Sequence, residues 1–167
     1  IYMNILPNAD KYLKLRQEYK LFTYENYYYS IDNNNLKIEF EFNLDEKFIF
    51  RPTINFPARD FYNFTKIPES LLQNIIFQIG MVELISYWKA ACPPKIIIKP
   101  HFLDHHQIEF WKKIYFNGLG EFFYLNNIET NQNDFADILS VSDNKLSKSD
   151  ILTDDSVIIP IGGGKDS

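Results

Sequence analysis

Cysteine, methionine and glycine are scarce in this 167-residue chain, which has one cysteine, two methionines and six glycines. The single Cys92 excludes an internal disulfide and a zinc site built from several cysteines. One free thiol is typical of a reducing compartment, so the sequence predicts a cytoplasmic protein. No apolar run approaches the ~20 residues that a membrane-spanning helix requires. We therefore expect no membrane partner.

Basic residues are also fewer than acidic ones: the chain has 17 Lys and Arg and 22 Asp and Glu, which gives a formal net charge of −5. Such a balance offers no general attraction to nucleic acid, so no nucleic-acid partner is expected. Any bound phosphate must be held by a local site. The composition is otherwise that of a folded domain, with 46% hydrophobic and 17% aromatic residues.

The first half of the chain predicts a short helix followed by strands. Residues 10–19 favour a helix. Residues 36–42 alternate apolar and charged side chains, which is typical of a half-buried strand. Further strands are predicted at 24–31 and 47–55, joined to the central one by short polar turns. The three strands predict an antiparallel meander.

The second half is richer in helix signals. A largely buried helix is predicted over 68–91, with a broad apolar face that comprises Leu71, Leu72, Ile75, Ile76, Ile79, Val82 and Ile85. A strand is predicted at 95–99. Asp104 and Gln107 resemble a capping box that begins a helix over 104–117, with a further helical turn at 121–126.

These patterns predict an α+β N-terminal domain, an antiparallel meander plus packed helices, over residues 1–139. A polar linker over 140–156 follows, rich in Ser and Asp. An apolar, β-prone segment over 157–161 then predicts a buried strand of an α/β domain that is truncated in this chain. Since the sequence begins at Ile1 and ends in a loop, we interpret it as a fragment.

The last six residues predict a phosphate-binding loop. Glycines after a strand let backbone N–H groups approach a ligand closely and form an anion nest. A carboxylate within such a loop implies a cation between it and the phosphates, so Asp166 predicts Mg²⁺. The predicted cofactor-binding residues are Gly162, Gly163, Gly164, Lys165, Asp166 and Ser167.

Spacing separates this loop from two common alternatives. A Walker A loop requires glycine where Ile159 stands, and Ser or Thr where Asp166 stands. The dinucleotide fingerprint fails because Ser167 occupies the place of its last glycine. The loop instead resembles the S-G-G-x-D-S loop of ATP-cleaving adenylating enzymes, with Gly162 in place of the leading serine.

Three blocks together resemble a known family. They are G-M-V-E-L-I-S-Y-W-K-A-A-C-P-P-K-I (80–96), F-W-K-K-I-Y-F-N-G-L-G-E-F-F-Y-L-N-N (110–127) and V-I-I-P-I-G-G-G-K-D-S (157–167). In order and spacing they are similar to the UDP-N-acetylmuramoyl-L-alanyl-L-glutamate epimerase family of bacterial cell-wall synthesis. The resemblance covers roughly residues 24–167.

The resemblance implies an enzyme that uses ATP and Mg²⁺. The terminal L-Glu of UDP-MurNAc-L-Ala-L-Glu would be activated as an acyl-adenylate, which makes its Cα–H acidic enough to remove. Proton return from the opposite face and hydrolysis would give D-Glu. The fragment itself is expected to be inactive, because it contains the loop without the rest of an ATP-binding domain.

Three residues are candidates for the proton transfer. Glu83 lies on the helix predicted to be buried, where desolvation would raise its pKa. Lys89 stands near the end of that helix, and Glu121 lies in the G-L-G-E-F segment. A structural role remains open for each of them: a salt bridge for Glu83, a favourable cation at a helix end for Lys89, and a cap or hinge for Glu121. His101 carries no signal, and Cys92 lacks a histidine motif that would make it a nucleophile.

Two alternatives to the epimerase stay open. One is another adenylating enzyme with the same loop, an amide ligase or an RNA-modifying enzyme, although the acidic charge argues against RNA. The other is a non-catalytic substrate-recognition module. The oligomeric state is not predicted.

Overall fold

A computed structural model describes residues 8–58 and 63–148 and shows a mixed α+β fold. The predicted loop and the strand before it, residues 157–167, lie outside the described residues, as do residues 149–156 of the predicted linker. The described elements are α1 (Asn8–Glu18), β1 (Leu21–Asp32), β2 (Asn35–Leu44), β3 (Phe48–Phe50), β4 (Thr53–Phe56), a 3₁₀ turn (Phe64–Lys66), α2 (Glu69–Trp88), β5 (Lys95–Ile98), α3 (His105–Gly118), α4 (Gly120–Leu125) and β6 (Asp137–Ser140).

The meander is confirmed, and it is one part of a larger sheet with the order β3-β2-β1-β5-β6, in which β4 also pairs with β2. The pairs made by β2 are antiparallel. The pairs β1–β5 and β5–β6 are parallel. The strand predicted at 95–99 is confirmed as β5, but its parallel pairs and the strand β6 were not predicted, so the sheet is mixed where an antiparallel meander was expected.

The predicted third strand is divided in two at Arg51 and Pro52. Proline has no backbone N–H and interrupts the ladder, although its carbonyl still accepts from Phe40 N at 3.0 Å. The turn between β1 and β2 is confirmed: Asn33 and Asn34 have φ values of 47° and 60°. Two successive positive φ angles are what a tight hairpin turn needs.

The helix predictions are confirmed in place and length, and the capping box is present. Gln107 N donates to Asp104 Oδ1 at 2.9 Å, and the Gln107 side chain accepts from Asp104 N at 2.9 Å. Two backbone donors of the first turn of α3 are thereby satisfied. No helix of the described part has the length and apolar character needed to cross a membrane.

The predicted buried face of α2 is only partly right, because Leu72 and Ile76 are buried as predicted and Ile75 and Val82 are not. The residues of α2 that are buried against the sheet are Leu72, Ile76, Phe77, Gly80, Met81, Leu84 and Trp88. Ile75 and Val82, which were predicted to face the core, are 44% and 58% exposed. Apolar residues occur all around this helix, so periodicity alone did not determine which side contacts the sheet.

The contact between α2 and the sheet depends on Gly80. An added Cβ would lie inside van der Waals contact of the hydroxyl and ring of Tyr24 and 2.9 Å from Phe40 Cδ1. Both aromatic residues are fully buried. The Tyr24 hydroxyl occupies the space above Gly80 and has no hydrogen-bond partner among the described residues. Burial raises its pKa well above the ordinary value for tyrosine.

We expect Gly80→Ala to lower the free energy of unfolding by about 2 kcal/mol, because overpacking costs more than the ~1 kcal/mol that alanine gains in a helix. Gly118→Ala is the matched control, since nothing lies within 4 Å of its added Cβ. Urea unfolding of both variants measures the difference. A Gly80→Ala protein as stable as the control would contradict this packing.

Candidate functional site

The segment between α2 and β5, residues 89–94, forms a corner held by its own carbonyl groups. The buried Trp88 indole donates from Nε1 to the Pro93 carbonyl at 2.9 Å. The Pro94 carbonyl accepts from Asp137 N at 2.9 Å, which positions the start of β6. Cys92 adopts a φ of 50°, an uncommon conformation for a residue other than glycine. The block around K-A-A-C-P-P therefore has a structural role.

Arg16 of α1 joins three parts of the chain at this corner. Its Nη1 donates to the carbonyls of Cys92 and Phe135, each at 2.8 Å, and its Nη2 donates to the Asp134 carbonyl at 3.4 Å. In the described ranges no carboxylate forms an ion pair with Arg16. The guanidinium fork suits several carbonyl groups at once. Arg16 therefore ties α1 to the end of α2 and to the segment before β6.

A cavity of about 140 Å³ lies beside this corner. Its wall comes from α1, the corner, α4 and the residues just after α4, and consists of Asn8, Lys11, Tyr12, Leu15, Lys89, Ala90, Cys92, Phe122, Asn126 and Ile128. Two of these side chains are lysines and none is acidic. The cavity wall is therefore cationic in a protein of net negative charge.

Cys92 is buried in this wall and is not poised as a nucleophile. Burial raises the pKa of its thiol to about 12, although Arg16 and Lys89 act in the opposite direction. A thiol with such a pKa is protonated at neutral pH and reacts poorly. Its Sγ donates weakly to the Lys89 carbonyl at 3.7 Å.

The three candidates for proton transfer lie in different surroundings. Lys89 caps the end of α2, is exposed, and lines the cavity. Glu83, which was predicted to lie on a largely buried helix, is half-buried on α2. Glu121 is exposed in the first turn of α4. Of the three, Lys89 alone belongs to the cavity wall, and their catalytic roles stay predictions.

The sequence did not predict a polar pair formed by a buried histidine and a half-buried tyrosine. His101 follows β5 and is only 6% exposed, and its Nε2 is hydrogen-bonded to Tyr27 Oη at 2.8 Å. Ser140, at the end of the parallel neighbour β6, donates from Oγ to the His101 carbonyl at 3.1 Å. Ligands often bind at the carboxyl ends of parallel strands. This position is recognisable only after the sheet order is known.

The environment of the pair favours uncharged side chains. Burial raises the pKa of Tyr27 to about 12. Burial also lowers the pKa of His101, and a contact with the backbone of Asn144 offsets part of that change. The ring of Phe77 contacts the imidazole edge to face, with 5.0 Å between the ring centroids. Because the ring is so deeply buried, we assign the pair a structural role.

No group of three or more His, Cys, Asp and Glu side chains arranged to hold a metal ion occurs in residues 8–58 and 63–148. The predicted Mg²⁺ ligand, Asp166, and the predicted phosphate loop that contains it lie beyond these ranges.

Comparison with known proteins identifies the family. Residues 14–167 match the model of the MurL N-terminal domain, and the chain belongs to this family. It is also similar to the UDP-N-acetyl-alpha-D-muramoyl-L-alanyl-L-glutamate epimerase of Xanthomonas oryzae pv. oryzae (strain MAFF 311018), with 33% identity over 58 residues. This match covers 35% of the chain and 13% of the relative, far below two thirds of its length. No solved structure matches.

The hydrogen bonds of Arg16 predict a measurable stability effect. Arg16→Lys keeps the charge but loses the fork that reaches three carbonyls, so we expect the free energy of unfolding to fall by about 1.5–3 kcal/mol. Arg51→Lys is the control, because Arg51 forms an exposed ion pair with Glu41 at 2.8 Å. Such pairs contribute about 0–1 kcal/mol. Equal losses for both variants in urea unfolding would contradict the anchoring role of Arg16.

The burial of His101 predicts a pH dependence of stability. Its folded pKa is lowered below an unfolded value of about 6.5, so the unfolded chain binds the extra proton first as pH falls. Stability should therefore be lost as the pH falls below about 6.5, and the loss should level off below the folded pKa.

Unfolding of the parent and of His101→Gln, measured between about pH 5 and pH 7.5, tests this expectation. The variant should show a smaller change in stability over that range than the parent. His106→Gln removes an exposed imidazole and serves as the control. If the two variants respond to pH alike, the burial of His101 is not the cause.

Proposed function

We propose that the full-length protein epimerises the terminal L-Glu of UDP-MurNAc-L-Ala-L-Glu to D-Glu in peptidoglycan synthesis. The main support for this proposal is that residues 14–167 belong to the MurL N-terminal domain family. The name of the Xanthomonas relative supplies the reaction and the substrate. A cytoplasmic location accords with the single free thiol, Cys92. We assign turnover to the whole protein and propose none for residues 1–167 alone.

The proposed chemistry consumes one ATP. The substrate carboxylate attacks the α-phosphorus and displaces pyrophosphate, which gives an acyl-adenylate. Loss of the carboxylate charge makes the Cα–H acidic enough for a base to remove the proton. A second group returns a proton to the opposite face, and water then cleaves the acyl-adenylate to the D-Glu product and AMP.

We propose that the G-G-G-K-D-S loop, Gly162 to Ser167, holds the ATP phosphates. Its donors fit a polyphosphate, because it combines backbone N–H groups without side-chain bulk, one lysine charge and one hydroxyl. Asp166 supplies a hard oxygen ligand of the kind that Mg²⁺ prefers. The metal would neutralise phosphate charge during pyrophosphate release.

For the proton transfers we propose Glu83, Lys89 and Glu121 as the residues to test. Glu83 is half-buried, and Lys89 lines the cavity beside the corner. Glu121 is exposed in the described domain, so it is available to another part of the full-length protein.

The full-length protein should release pyrophosphate from ATP and Mg²⁺ only when UDP-MurNAc-L-Ala-L-Glu is present, and the hydrolysed product should contain D-Glu. Asp166→Asn should lower that release by 10²-fold or more, as expected for the loss of a charged ligand in a phosphate site. Asp143→Asn, an exposed carboxylate of the described domain, is the control. Pyrophosphate release triggered by an amine or RNA acceptor without inversion would overturn the proposal.

Proton transfer is tested separately in D₂O by deuterium incorporation at the Glu Cα. A residue that moves the proton should lose about 10²–10⁴-fold in deuterium incorporation when replaced, with pyrophosphate release retained. The variants are Glu83→Gln, Lys89→Met and Glu121→Gln. A residue whose variant keeps both activities is not a proton-transfer group.

A further inference from the structure

We infer that the cavity beside the α2–β5 corner is a binding site for a small oxyanion, a carboxylate or a phosphoryl group, held between Lys11 and Lys89. Lys11 comes from α1 and Lys89 from the end of α2. The site is separate from the Gly162–Ser167 loop in sequence, and the inference does not depend on the proposed epimerase reaction.

The two lysines lack partners of opposite charge. Within the part of the chain that the structure describes, neither ammonium group forms an ion pair or a hydrogen bond. Lys20, Lys47, Lys99 and Lys112 do make such contacts, whereas the exposed Lys14 and Lys113 resemble the cavity pair in making none. No acidic side chain lines the cavity. Two like charges on one concave wall repel each other, and an anion between them removes that repulsion.

The dipole of α2 accounts for the position of Lys89 but not for that of Lys11. A lysine at the C-terminal end of a helix interacts favourably with the helix dipole. Lys11 lies in the first half of α1, so the α2 dipole does not account for it. Arg16 adds a third positive charge nearby, because its guanidinium is fixed to the Cys92 carbonyl in the cavity wall. Lys11 and Arg16 of α1 and Lys89 at the end of α2 thus place three positive charges at this corner.

The rest of the wall is suited to holding a small polar group. Asn8 and Asn126 bring side-chain amides to the wall; the Asn126 amide donates one hydrogen bond to the Phe122 carbonyl at 2.8 Å and retains a second N–H. Tyr12, Cys92 and Ile128 form a partly or fully buried floor, which limits the water around a bound group. Less water means weaker screening of the lysine charges.

The volume restricts the ligand to a single group. Sites for drug-sized ligands occupy about 300–1,000 Å³, whereas this cavity is about 140 Å³. It therefore has room for one carboxylate or phosphoryl group and not for a nucleotide-sugar. A larger anionic molecule would place one terminal group here and extend out of the open side.

The test uses residues 1–167 and NMR chemical shifts during titration with sodium phosphate, with sodium L-glutamate and with sodium chloride at matched ionic strength. We expect saturable shifts around Lys11, Lys89 and Asn126 with phosphate or glutamate, with a dissociation constant on the order of 1 mM. Tighter binding of phosphate indicates a phosphoryl ligand, and tighter binding of glutamate indicates a carboxylate ligand.

The paired variant Lys11→Met/Lys89→Met should weaken this binding at least 10-fold, which corresponds to one decade in the dissociation constant. The control Lys14→Met/Lys113→Met removes the same charge from exposed positions of α1 and α3 outside the cavity. Methionine preserves side-chain length and helix propensity, so both proteins should fold. The inference is overturned if both pairs bind alike, if chloride gives the same shifts, or if no saturable shift occurs.

Discussion

Backbone carbonyls at one corner hold the helices to the parallel half of the sheet. The carbonyls of Cys92, Pro93 and Pro94 accept, respectively, from the Arg16 guanidinium, the Trp88 indole and the Asp137 amide. Pro93 and Pro94 have no backbone N–H, and the three carbonyls are satisfied by donors outside residues 89–94. The donors come from α1, α2 and β6. The corner leads the chain from α2 into β5, the strand whose parallel pairs with β1 and β6 make the sheet mixed.

The parts of the fold that were predictable from sequence are those governed by short-range periodicity or capping. The alternation in β2 and the capping box at Asp104 needed no knowledge of distant residues, and both are present. The parallel pairing of β5 with β1 joins residues more than 70 positions apart. No local pattern encodes such a pairing. The four-residue strand β6 is too short to show a clear period.

The candidate site was predicted less well, for a physical reason that Lys89 and His101 illustrate. Lys89 was a candidate because it lies in the sequence block over residues 80–96. The structure shows that it lines a cavity together with a second lysine, Lys11 of α1. His101 carried no sequence signal, because its significance comes from Tyr27 and Ser140, on strands far away in the chain. Glu83 was expected to be buried because α2 is apolar all around. That side of the helix is only half covered by described residues.

An acidic protein that handles anionic ligands must concentrate its cations locally. With a net charge of −5, the average field of this chain repels anions, and at ~0.1 M salt exposed charges act over only about 10 Å. Attraction must therefore come from groups in direct contact with the ligand. The proposed reaction brings together two polyanions, ATP and a diphosphate-linked substrate with free carboxylates. A single cationic patch would let them compete for the same place. The two proposed sites, the G-G-G-K-D-S loop and the Lys11–Lys89 cavity, would each supply their own cations to one anionic group.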